Sequence, residues 1–386
     1  MNRTGKFAAL ALLGTLSFTA CGGGSTPATS NTSNNSAAPA ASGSAAGGTN
    51  AAALACPAGK LVAGGSTAQK LAMETLTSAY SKECGGKGTI EYSGTGSGQG
   101  IKDFYNKQID FAGSDSALKT KANADGVIEA DKAKARCDGA EAWNLPMVVG
   151  PVALAYNLKG VDKLVLTPAL TADIFNGKIT MWNDPAIAKI NEGTTLPATK
   201  ISVFFRSDDS GTSENVQKYL AAAAPTNWTA APAKKWAGKV GEGKKGSQGV
   251  AEGIKGLEGG FGYDEWKYAK DSQLGVAQLD NGAGAVELNA ESAGKAVEGA
   301  EVSGTGNDMA LKLKYSGTEA GAYPLILVTY EIVCSKGLEA DKTALLKDYL
   351  GYMVSADIQA SLPDSGYAPL PESMRTKVEA AVKAIA

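Results

Sequence analysis

Histidine is absent from all 386 residues of this chain, and cysteine occurs only five times. The lack of histidine excludes the Ser-His-Asp and Cys-His nucleophile systems, the usual general base and the most common zinc ligand in proteins. Neither sign of charge is in clear excess, because the formal net charge is -2. This balance provides no broad attraction for nucleic acid or acidic membranes, so a bound anion must be held by local dipoles and a few donors.

The N-terminal segment is typical of an export signal. Arg3 and Lys6 precede an apolar stretch over 7–18 that is too short to span a bilayer. Two small residues then precede Cys21, as in a bacterial lipobox, although Phe18 stands where that motif usually has leucine. We predict a signal peptide over 1–20 and lipidation of Cys21, and ordinary signal cleavage with a free Cys21 thiol is the alternative.

The segment that follows Cys21 is almost entirely Gly, Ser, Thr, Ala, Asn and Pro. It lacks aromatic and charged residues, and such a composition buries too little apolar surface to fold. We therefore predict a lipidated cysteine and flexible linker over 21–55. The expected location is the extracytoplasmic face of the cell membrane, with the chain exported and held by its lipid anchor.

The other four cysteines are Cys56, Cys84, Cys137 and Cys334. An even number in an exported chain predicts two disulfides, for which three connectivities are possible. We favour Cys56 with Cys84, because a strand and its returning helix bring those ends together, which leaves Cys137 for Cys334. Their spacing matches no zinc motif, and we predict no metal site.

Apolar strands alternate with amphipathic helices along the rest of the chain, which predicts α/β lobes with mixed sheets. Early strands are expected over 60–63, where Gly64-Gly65 would end the strand, and over 89–92 and 109–112. A helix is expected over 69–82, with Ser66 and Thr67 as capping residues. Later strands are expected over 147–156, 201–205 and 325–333, and the Gly- and Lys-rich stretch 236–257 is predicted to be a loop.

Three strand ends share one pattern, in which glycine and hydroxyl residues lead into a helix. The sequences are Gly-Gly-Ser-Thr-Ala at 64–68, Gly-Thr-Gly-Ser-Gly at 94–98 and Ser-Gly-Thr at 210–212. The first amides of a helix lack partners and carry the positive end of its dipole. Glycine lets the chain approach an oxyanion, and hydroxyls add donors. One such loop is uninformative, but three, with Arg206 and Asp115 at strand ends, predict an oxyanion-binding cleft.

These loops occur with further motifs at 110–115 (Asp-Phe-Ala-Gly-Ser-Asp), 174–179 (Ile-Phe-Asn-Gly-Lys-Ile), 182–185 (Trp-Asn-Asp-Pro) and 366–370 (Gly-Tyr-Ala-Pro-Leu). From about residue 60 to the C-terminus, the chain resembles the phosphate-binding proteins of high-affinity phosphate ABC transporters, especially the lipoprotein forms of actinobacteria. The resemblance implies a two-lobed periplasmic-binding-protein-like α/β fold of type II, with mixed sheets and two hinge crossovers.

The expected lobes follow from two crossing segments, one around 145–155 and the other around 323–333. Lobe 1 would comprise 56–148 and a return segment over 327–386, and lobe 2 would comprise 149–326. Phosphate would close the hinge, because only the closed state joins both half-sites and removes water from the ion.

The resemblance also implies a ligand set. The family's motifs place phosphate ligands at Ser66, Thr67, Ala68, Ser97, Asp115, Arg206, Ser210, Gly211 and Thr212. Only the backbone amide role transfers to Ala68, because some relatives have an aromatic residue there. Asp208 matches a family aspartate that holds the arginine in place.

Asp115 is the most informative of these residues for selectivity. A carboxylate that faces an anion repels it unless the anion has a proton to donate. Hydrogen phosphate has such a proton at neutral pH, and sulfate does not. Asp115 would therefore select phosphate by leaving sulfate with an unpaired like-charge contact. A single arginine, Arg206, would supply a planar fork for two phosphate oxygens.

Other functions fit the sequence less well. The third glycine of a dinucleotide-binding fingerprint falls on Gln99, and no lysine directly precedes Ser247 in the faintly phosphate-loop-like stretch 241–247. A phosphatase would need a nucleophile or carboxylate clusters for metals, which the sequence does not offer. A surface-adhesive role on the same fold stays open as an alternative. We expect a monomeric receptor without enzymatic activity, cofactor or nucleic-acid partner, which delivers inorganic phosphate to membrane permease subunits.

Overall fold

The computed structural model describes residues 54–123, 125–317 and 319–386. All of them fall within one compact unit. The expected signal peptide, Cys21 and the linker up to residue 53 lie outside the described residues. Within the described ranges, no helix combines the length and apolarity needed to cross a membrane.

The strands alternate with the helices along the chain, as the sequence pattern predicts. The strands are β1 (Gly59–Gly65), β2 (Gly88–Gly94), β3 (Phe111–Ser114), β4 (Ala142–Tyr156), β5 (Val165–Leu166), β6 (Ser202–Arg206), β7 (Glu242–Lys244), β8 (Gly260–Glu265), β9 (Gly275–Val276), β10 (Gln278–Asp280), β11 (Ala285–Val286), β12 (Glu301–Val302), β13 (Leu311–Lys312) and β14 (Ile326–Cys334).

The helices cover the sheet and carry the loops that follow its strands. They are α1 (Lys70–Glu83), α2 (Ser97–Tyr105), α3 (Glu129–Arg136), α4 (Pro168–Phe175), α5 (Pro185–Ile190), α6 (Gly211–Ala223), α7 (Gly246–Lys255), α8 (Trp266–Asp271), α9 (Ala290–Glu298), α10 (Ala340–Val354), α11 (Ala356–Ser361), a 3₁₀ turn (Leu362–Ser365) and α12 (Glu372–Lys383).

One mixed sheet organises both halves of the fold. Its strand order is β2-β1-β3-β14-β4-β8-β6-β7, and β9 pairs with β4 outside this path. β1 is parallel to β2 and β3, and β6 is parallel to β7 and β8. The antiparallel strands β14 and β4 lie between these two parallel groups. We call the half with β1, β2, β3 and β14 lobe 1, and the half with β6, β7 and β8 lobe 2.

β4 belongs to both lobes. Its first part, Ala142–Pro151, pairs with β14, and its last part, Val152–Tyr156, pairs with β8. The strand is buried from Asn144 onward, and all residues of β14 are buried. Strands buried on both faces have continuous apolar sequences, which is why both segments are recognisable in the sequence.

Several sequence-based boundaries are wrong. Gly64 and Gly65 do not end β1, because Gly65 pairs with Gly94 of β2 and Gly113 of β3. A Cβ at Gly65 would lie 2.1 Å from the Gly113 carbonyl oxygen, so glycine permits this close strand approach. β3 begins at Phe111 rather than at residue 109.

The expected caps of α1 are also wrong. The N-cap is Gln69, without a side-chain capping hydrogen bond. The hydroxyls of Ser66 and Thr67, both buried, instead contact Asp115 and Ser247. The local capping preference of these residues is overridden by tertiary partners from across the fold.

The predicted loop over 236–257 is wrong as well. It contains β7 and the ten-residue helix α7, whose buried face carries Val250, Ala251 and Ile254. Glycine and lysine content obscures this element, because glycine has a low helix propensity and tertiary packing overrides it.

Both favoured disulfides are present. Cys56 bonds to Cys84 and Cys137 bonds to Cys334. The second bond joins the end of α3 to the end of β14, across 197 residues of sequence. It therefore ties the two chain segments of lobe 1 together covalently.

Candidate functional site

The sequence-predicted ligands lie at the carboxyl ends of parallel strands in the two lobes. In lobe 1, β1 leads into Ser66 and Thr67, and β3 leads into Asp115. In lobe 2, β6 ends at Arg206 and is followed by the start of α6. Carboxyl ends of parallel strands meet at one sheet edge. Each lobe therefore presents one group of loops, and the two groups meet in the cleft between the lobes.

Asp115 is surrounded by hydroxyl donors. Ser66 Oγ donates to its Oδ1 at 2.5 Å, and Thr329 Oγ1 donates to the same oxygen at 2.8 Å. Ser97 Oγ donates to Oδ2 at 3.0 Å. Asp115 is only 3 % exposed, so these bonds fix the orientation of a carboxylate that has little access to water. Thr329, on β14, was not among the predicted residues.

The environment sets the charge of this carboxylate. Burial raises the pKa of Asp115 to about 6, and the hydroxyl bonds oppose that rise while the negative charge of Glu265 adds to it. Burial also raises the pKa of Glu331 to about 8, and Gln69 Nε2 donates to Glu331 Oε1 at 2.7 Å. At neutral pH, Asp115 is therefore ionised and the buried Glu331 is mainly neutral.

Arg206 is held by the residue that the family pattern predicts. Its Nε donates to Asp208 Oδ1 at 2.8 Å, and its Nη2 donates to Asp208 Oδ2 at 2.5 Å. The Gly246 amide also donates to Asp208 Oδ1, at 3.0 Å. Burial by itself would lower the pKa of Arg206, but the Asp208 carboxylate reverses this effect and raises it. The guanidinium thus stays charged and fixed in orientation although it is only 3 % exposed.

The loop at 210–212 forms the start of α6. Ser210 is the N-cap, and its hydroxyl accepts a hydrogen bond from the Ser213 amide at 3.2 Å. Thr212 Oγ1 donates to Glu265 Oε1 at 2.5 Å. Both side chains are buried, and Gly211 lies between them. The first amides of a helix carry the positive end of its dipole, and this helix start lies at the cleft, where Gly211 meets Asp115 and Ser97.

Thr67 and Ala68 differ in how they meet the rest of the site. Thr67 Oγ1 is 2.8 Å from Ser247 Oγ and accepts a hydrogen bond from the Ser247 amide at 3.2 Å. The Ala68 amide donates to Ser66 Oγ at 3.1 Å. Thr67 therefore bridges the two lobes, whereas Ala68 supports the hydroxyl that contacts Asp115.

Ser247 is the main site residue that the sequence reasoning missed. It lies in the first turn of α7 and is fully buried. Arg206 Nη1 donates to Ser247 Oγ at 3.2 Å, and the same hydroxyl contacts Thr67. The sequence does contain a signal for Ser247, because a Gly-Ser pair precedes apolar residues at helical spacing. That stretch resembles nucleotide-binding loops only faintly, and its role at a helix start was not predicted. The start of α7 thus joins those of α2 and α6 at the site.

The lobes approach each other closely at Gly211. A Cβ built there would lie 2.6 Å from Asp115 Cβ and 2.7 Å from Ser97 Oγ. Any side chain at this position would therefore push the lobes apart. Glycine is needed here because of the close approach and not because of its backbone angles.

This contact leads to a prediction for Gly211→Ala. The added methyl group collides with Asp115 only when the lobes are closed, so we expect anion affinity to fall by about tenfold or more, which corresponds to 1–3 kcal/mol of overpacking. The thermal unfolding midpoint of the unliganded protein should change little. Titration calorimetry and a thermal melt measure both quantities.

A matched control comes from Gly294, on α9, where a Cβ meets nothing within 4 Å. Gly294→Ala should leave anion affinity unchanged. Wild-type affinity in Gly211→Ala would contradict the closed arrangement of the site.

The assembled groups can bind an anion but contain no recognisable catalytic set. Donors come from one charged guanidinium, several hydroxyls and the starts of three helices, and one ionised carboxylate faces them. Among the described residues, the only cluster of possible metal ligands is Cys56, Cys84 and Asp348. Its two cysteines form a disulfide, so they offer no thiolates to a metal ion.

Comparison with known proteins agrees with this geometry. A family model described as a PBP superfamily domain matches residues 41–357. Phosphate-binding protein PstS2 of Mycobacterium bovis is 41% identical over 388 residues, which cover 99% of each chain. Phosphate-binding protein PstS 3 of Mycobacterium leprae is 41% identical over 330 residues, 84% of this chain and 87% of the relative.

Solved structures share the fold at lower identity. A high-affinity periplasmic phosphate-binding protein bound with phosphate has a TM-score of 0.67 and 21% identity, covering 83% of this chain and 93% of its own. A phosphate-binding protein from Stenotrophomonas maltophilia has a TM-score of 0.64 and 18% identity, covering 84% and 94%. The fold is thus the two-lobed type II periplasmic-binding-protein fold, and the chain belongs to the PstS-type family of phosphate-binding proteins.

Proposed function

We propose that this protein is the phosphate receptor of an ABC importer and binds inorganic phosphate between its lobes. The observation that carries the proposal is the placement of a buried guanidinium, Arg206, on lobe 2 and a buried carboxylate, Asp115, on lobe 1, each at the end of a strand that leads into the cleft. An anion that takes hydrogen bonds from the guanidinium and also donates one to the carboxylate satisfies both. Hydrogen phosphate has this combination of groups, and sulfate lacks the proton.

The proposed ligands are those that the family pattern implies, with Ser247 added. Arg206 Nη1 and the start of α6 would bind from lobe 2, and Thr67, Ser97 and Asp115 would bind from lobe 1. Ser66 and Asp208 would act mainly by positioning, since Ser66 donates to Asp115 and Asp208 fixes Arg206. This set neutralises the ion mainly with dipoles, which suits a chain of net charge -2.

We propose that binding and release follow lobe closure and opening. The closed lobes are joined by Lys234 with Glu129 at 2.8 Å, by Lys102 with Asp209 at 3.1 Å, and by the Gly98 amide with the Asp209 carbonyl oxygen at 2.9 Å. The hinges would lie where β4 changes partners, after Pro151, and just before β14. The proposed hinges lie within a few residues of the lobe boundaries expected from the sequence, which fall between residues 148 and 149 and between residues 326 and 327. The closed form would dock as a monomer on membrane permease subunits.

Titration calorimetry of the purified protein with phosphate and with sulfate tests the binding function. We expect saturable phosphate binding at one site per chain, and sulfate binding at least a hundredfold weaker, as about 3 kcal/mol of unpaired like-charge contact requires. Equal affinity for the two anions, or no phosphate binding, would refute the proposal. The curated relatives are phosphate-binding proteins, and we assign no enzymatic activity.

We also propose that the chain is anchored through a lipid on Cys21. The support is the sequence alone: a short apolar segment, small residues before the cysteine and a linker without charge. Cys21→Ala should move the protein from the membrane fraction to the soluble exported fraction, as seen by fractionation and immunoblotting. Membrane retention of the variant would contradict lipidation at this residue.

A further inference from the structure

Asn215 is a buried amide on α6, one helical turn after Gly211, and is only 2 % exposed. Burying an amide costs free energy unless its donors and its acceptor find partners. Nδ2 of Asn215 donates to the Asp115 carbonyl oxygen at 2.7 Å and to the Gly211 carbonyl oxygen at 2.9 Å, and Oδ1 accepts a hydrogen bond from Tyr315 Oη. Both ends of the amide are therefore paired, which an apolar side chain at this position would not require.

Two of these three partners belong to lobe 1, although Asn215 itself is on lobe 2. Asp115 directly follows β3. Tyr315 follows β13, and β13 is attached to lobe 1 because the Leu311 amide donates to Tyr330 Oη on β14 at 3.1 Å. The amide of Asn215 therefore bonds to lobe 1 through its nitrogen and through its oxygen.

The bond to Asp115 fixes the spacing between the two halves of the site. The Asp115 amide donates to Ser97 Oγ at 3.2 Å, and its carbonyl oxygen accepts from Asn215. The same Nδ2 also bonds to the Gly211 carbonyl oxygen, and a Cβ at Gly211 would lie only 2.6 Å from Asp115 Cβ. Asn215 thus bridges the backbone of the carboxylate residue and the backbone of the α6 start.

We propose that Asn215 is a positioning residue that holds the lobes closed over the bound ion and sets the rate of phosphate release. Lobe opening breaks its bonds to Asp115 and Tyr315, whereas its bond to Gly211 lies within α6 and can persist. The Asp115 carboxylate is oriented by hydroxyls of lobe 1, so Asn215 affects how long the ion stays and not which anion is accepted. This inference rests on the proposed phosphate-binding function.

Asn215→Leu tests the proposal, because leucine has a similar volume but forms neither bond between the lobes. In the closed state, the Asp115 carbonyl oxygen and the Tyr315 hydroxyl then lack a partner. Release of radiolabelled phosphate from the full-length protein into excess unlabelled phosphate should become about 10- to 100-fold faster. The association rate should stay within about threefold of wild type, since the bonds form only after closure. The ratio of phosphate to sulfate affinity should not change.

Asn191 provides the matched control, because it is also a buried amide with both ends paired, at 6 % exposure. Its Oδ1 accepts from the Val165 amide at 2.7 Å, and its Nδ2 donates to the carbonyl oxygens of Val165 at 3.0 Å and Ile187 at 2.9 Å. All these partners lie between β4 and β6 in the chain. Asn191→Leu should lower the thermal unfolding midpoint and leave the rate of phosphate release unchanged.

Tyr315→Phe removes only one of the two bonds between Asn215 and lobe 1. Phosphate release should become about 2- to 10-fold faster, as expected for one hydrogen bond. Because Tyr315 acts through Asn215, the same substitution should have no further effect on release when it is combined with Asn215→Leu.

Phosphate release at the wild-type rate in folded Asn215→Leu, or equally accelerated release in Asn191→Leu, would overturn the inference. If Asn215→Leu does not fold, as judged by circular dichroism, Tyr315→Phe carries the test, and release at the wild-type rate in that variant overturns the inference. Absence of phosphate binding by the wild type would instead refute the proposed function, so the two failures are distinguishable.

Discussion

Replacing Arg206 by methionine is expected to lower phosphate affinity by roughly 10²- to 10³-fold. The side chain supplies the charged guanidinium of the site, and its loss also leaves the partly buried Asp208 without its ionic partner. Truncating one partner of a buried, hydrogen-bonded charged contact costs about 2–5 kcal/mol of binding free energy, and a loss of about 3–4 kcal/mol corresponds to this range. Titration calorimetry with phosphate measures the change.

Two further variants separate the causes. Arg206→Met combined with Asp208→Asn removes the unpaired carboxylate, so it should regain thermal stability without regaining affinity. Arg206→Lys keeps the charge but loses the fork, and its affinity should lie between those of wild type and Arg206→Met. Phosphate binding by the double variant within threefold of wild type would rule out Arg206 as the main charged ligand.

Asp115→Asn is expected to abolish most of the discrimination against sulfate. An asparagine can donate a hydrogen bond where the carboxylate can only accept, so the proton-free anion gains a partner and loses a like charge. Sulfate affinity should rise by about 10- to 100-fold, as expected for 1–3 kcal/mol of unsatisfied buried polar contact. Phosphate affinity should fall, because a charge-assisted hydrogen bond is lost.

Lowering the pH should also raise the sulfate affinity of the wild-type protein. The pKa of Asp115 is raised to about 6, with burial as the largest cause. As the pH falls through 6, the carboxyl gains a proton that it can donate, and sulfate affinity should increase. Asp115→Asn should remove that part of the pH dependence.

Asp110 provides a control in the same motif. Its carboxylate bonds to the Val62 amide at 2.8 Å and pairs with Lys342 at 3.0 Å, away from the cleft. Asp110→Asn should leave the ratio of phosphate to sulfate affinity unchanged. If Asp115→Asn also leaves that ratio unchanged, Asp115 does not determine selectivity.

Much of the central sheet and of the cleft loops could be predicted from the sequence because the relevant signals are local. β4 and β14 are continuous apolar segments, and the loops at 94–98 and 210–212 combine glycine with hydroxyl residues before a helix. Asp208 sits two residues from Arg206, so its bidentate contact is also encoded locally. Each of these features depends on a few neighbouring residues.

The missed residues depend on contacts between distant segments. Ser247 meets Thr67 across 180 residues, and Thr329 meets Asp115 across 214. No local pattern encodes such pairs, although polar residues within apolar strands are a usable signal. Thr329 and Glu331 interrupt the apolar sequence of β14, and both are fully buried with hydrogen-bond partners.

Glu265, on the other side of the cleft, is another residue whose environment depends on contacts between distant segments. It ends β8 next to Asp264, so the sequence shows two adjacent acids of the kind that usually lie at a solvated surface. Both are instead buried at 1 % exposure. The burial of these two acids is explained only by the tertiary structure, which places the opposite lobe, Arg206 and the start of α6 around them.

The most direct test of the account is a crystal structure of the full chain grown with phosphate. We predict one phosphate ion between the lobes, with oxygens at hydrogen-bond distance, about 3 Å, from Arg206, Thr67, Ser97 and the α6 amides, and with one oxygen facing Asp115. Phosphate bound at any other position, or bound in the cleft without contact to Arg206 and Asp115, would contradict the account.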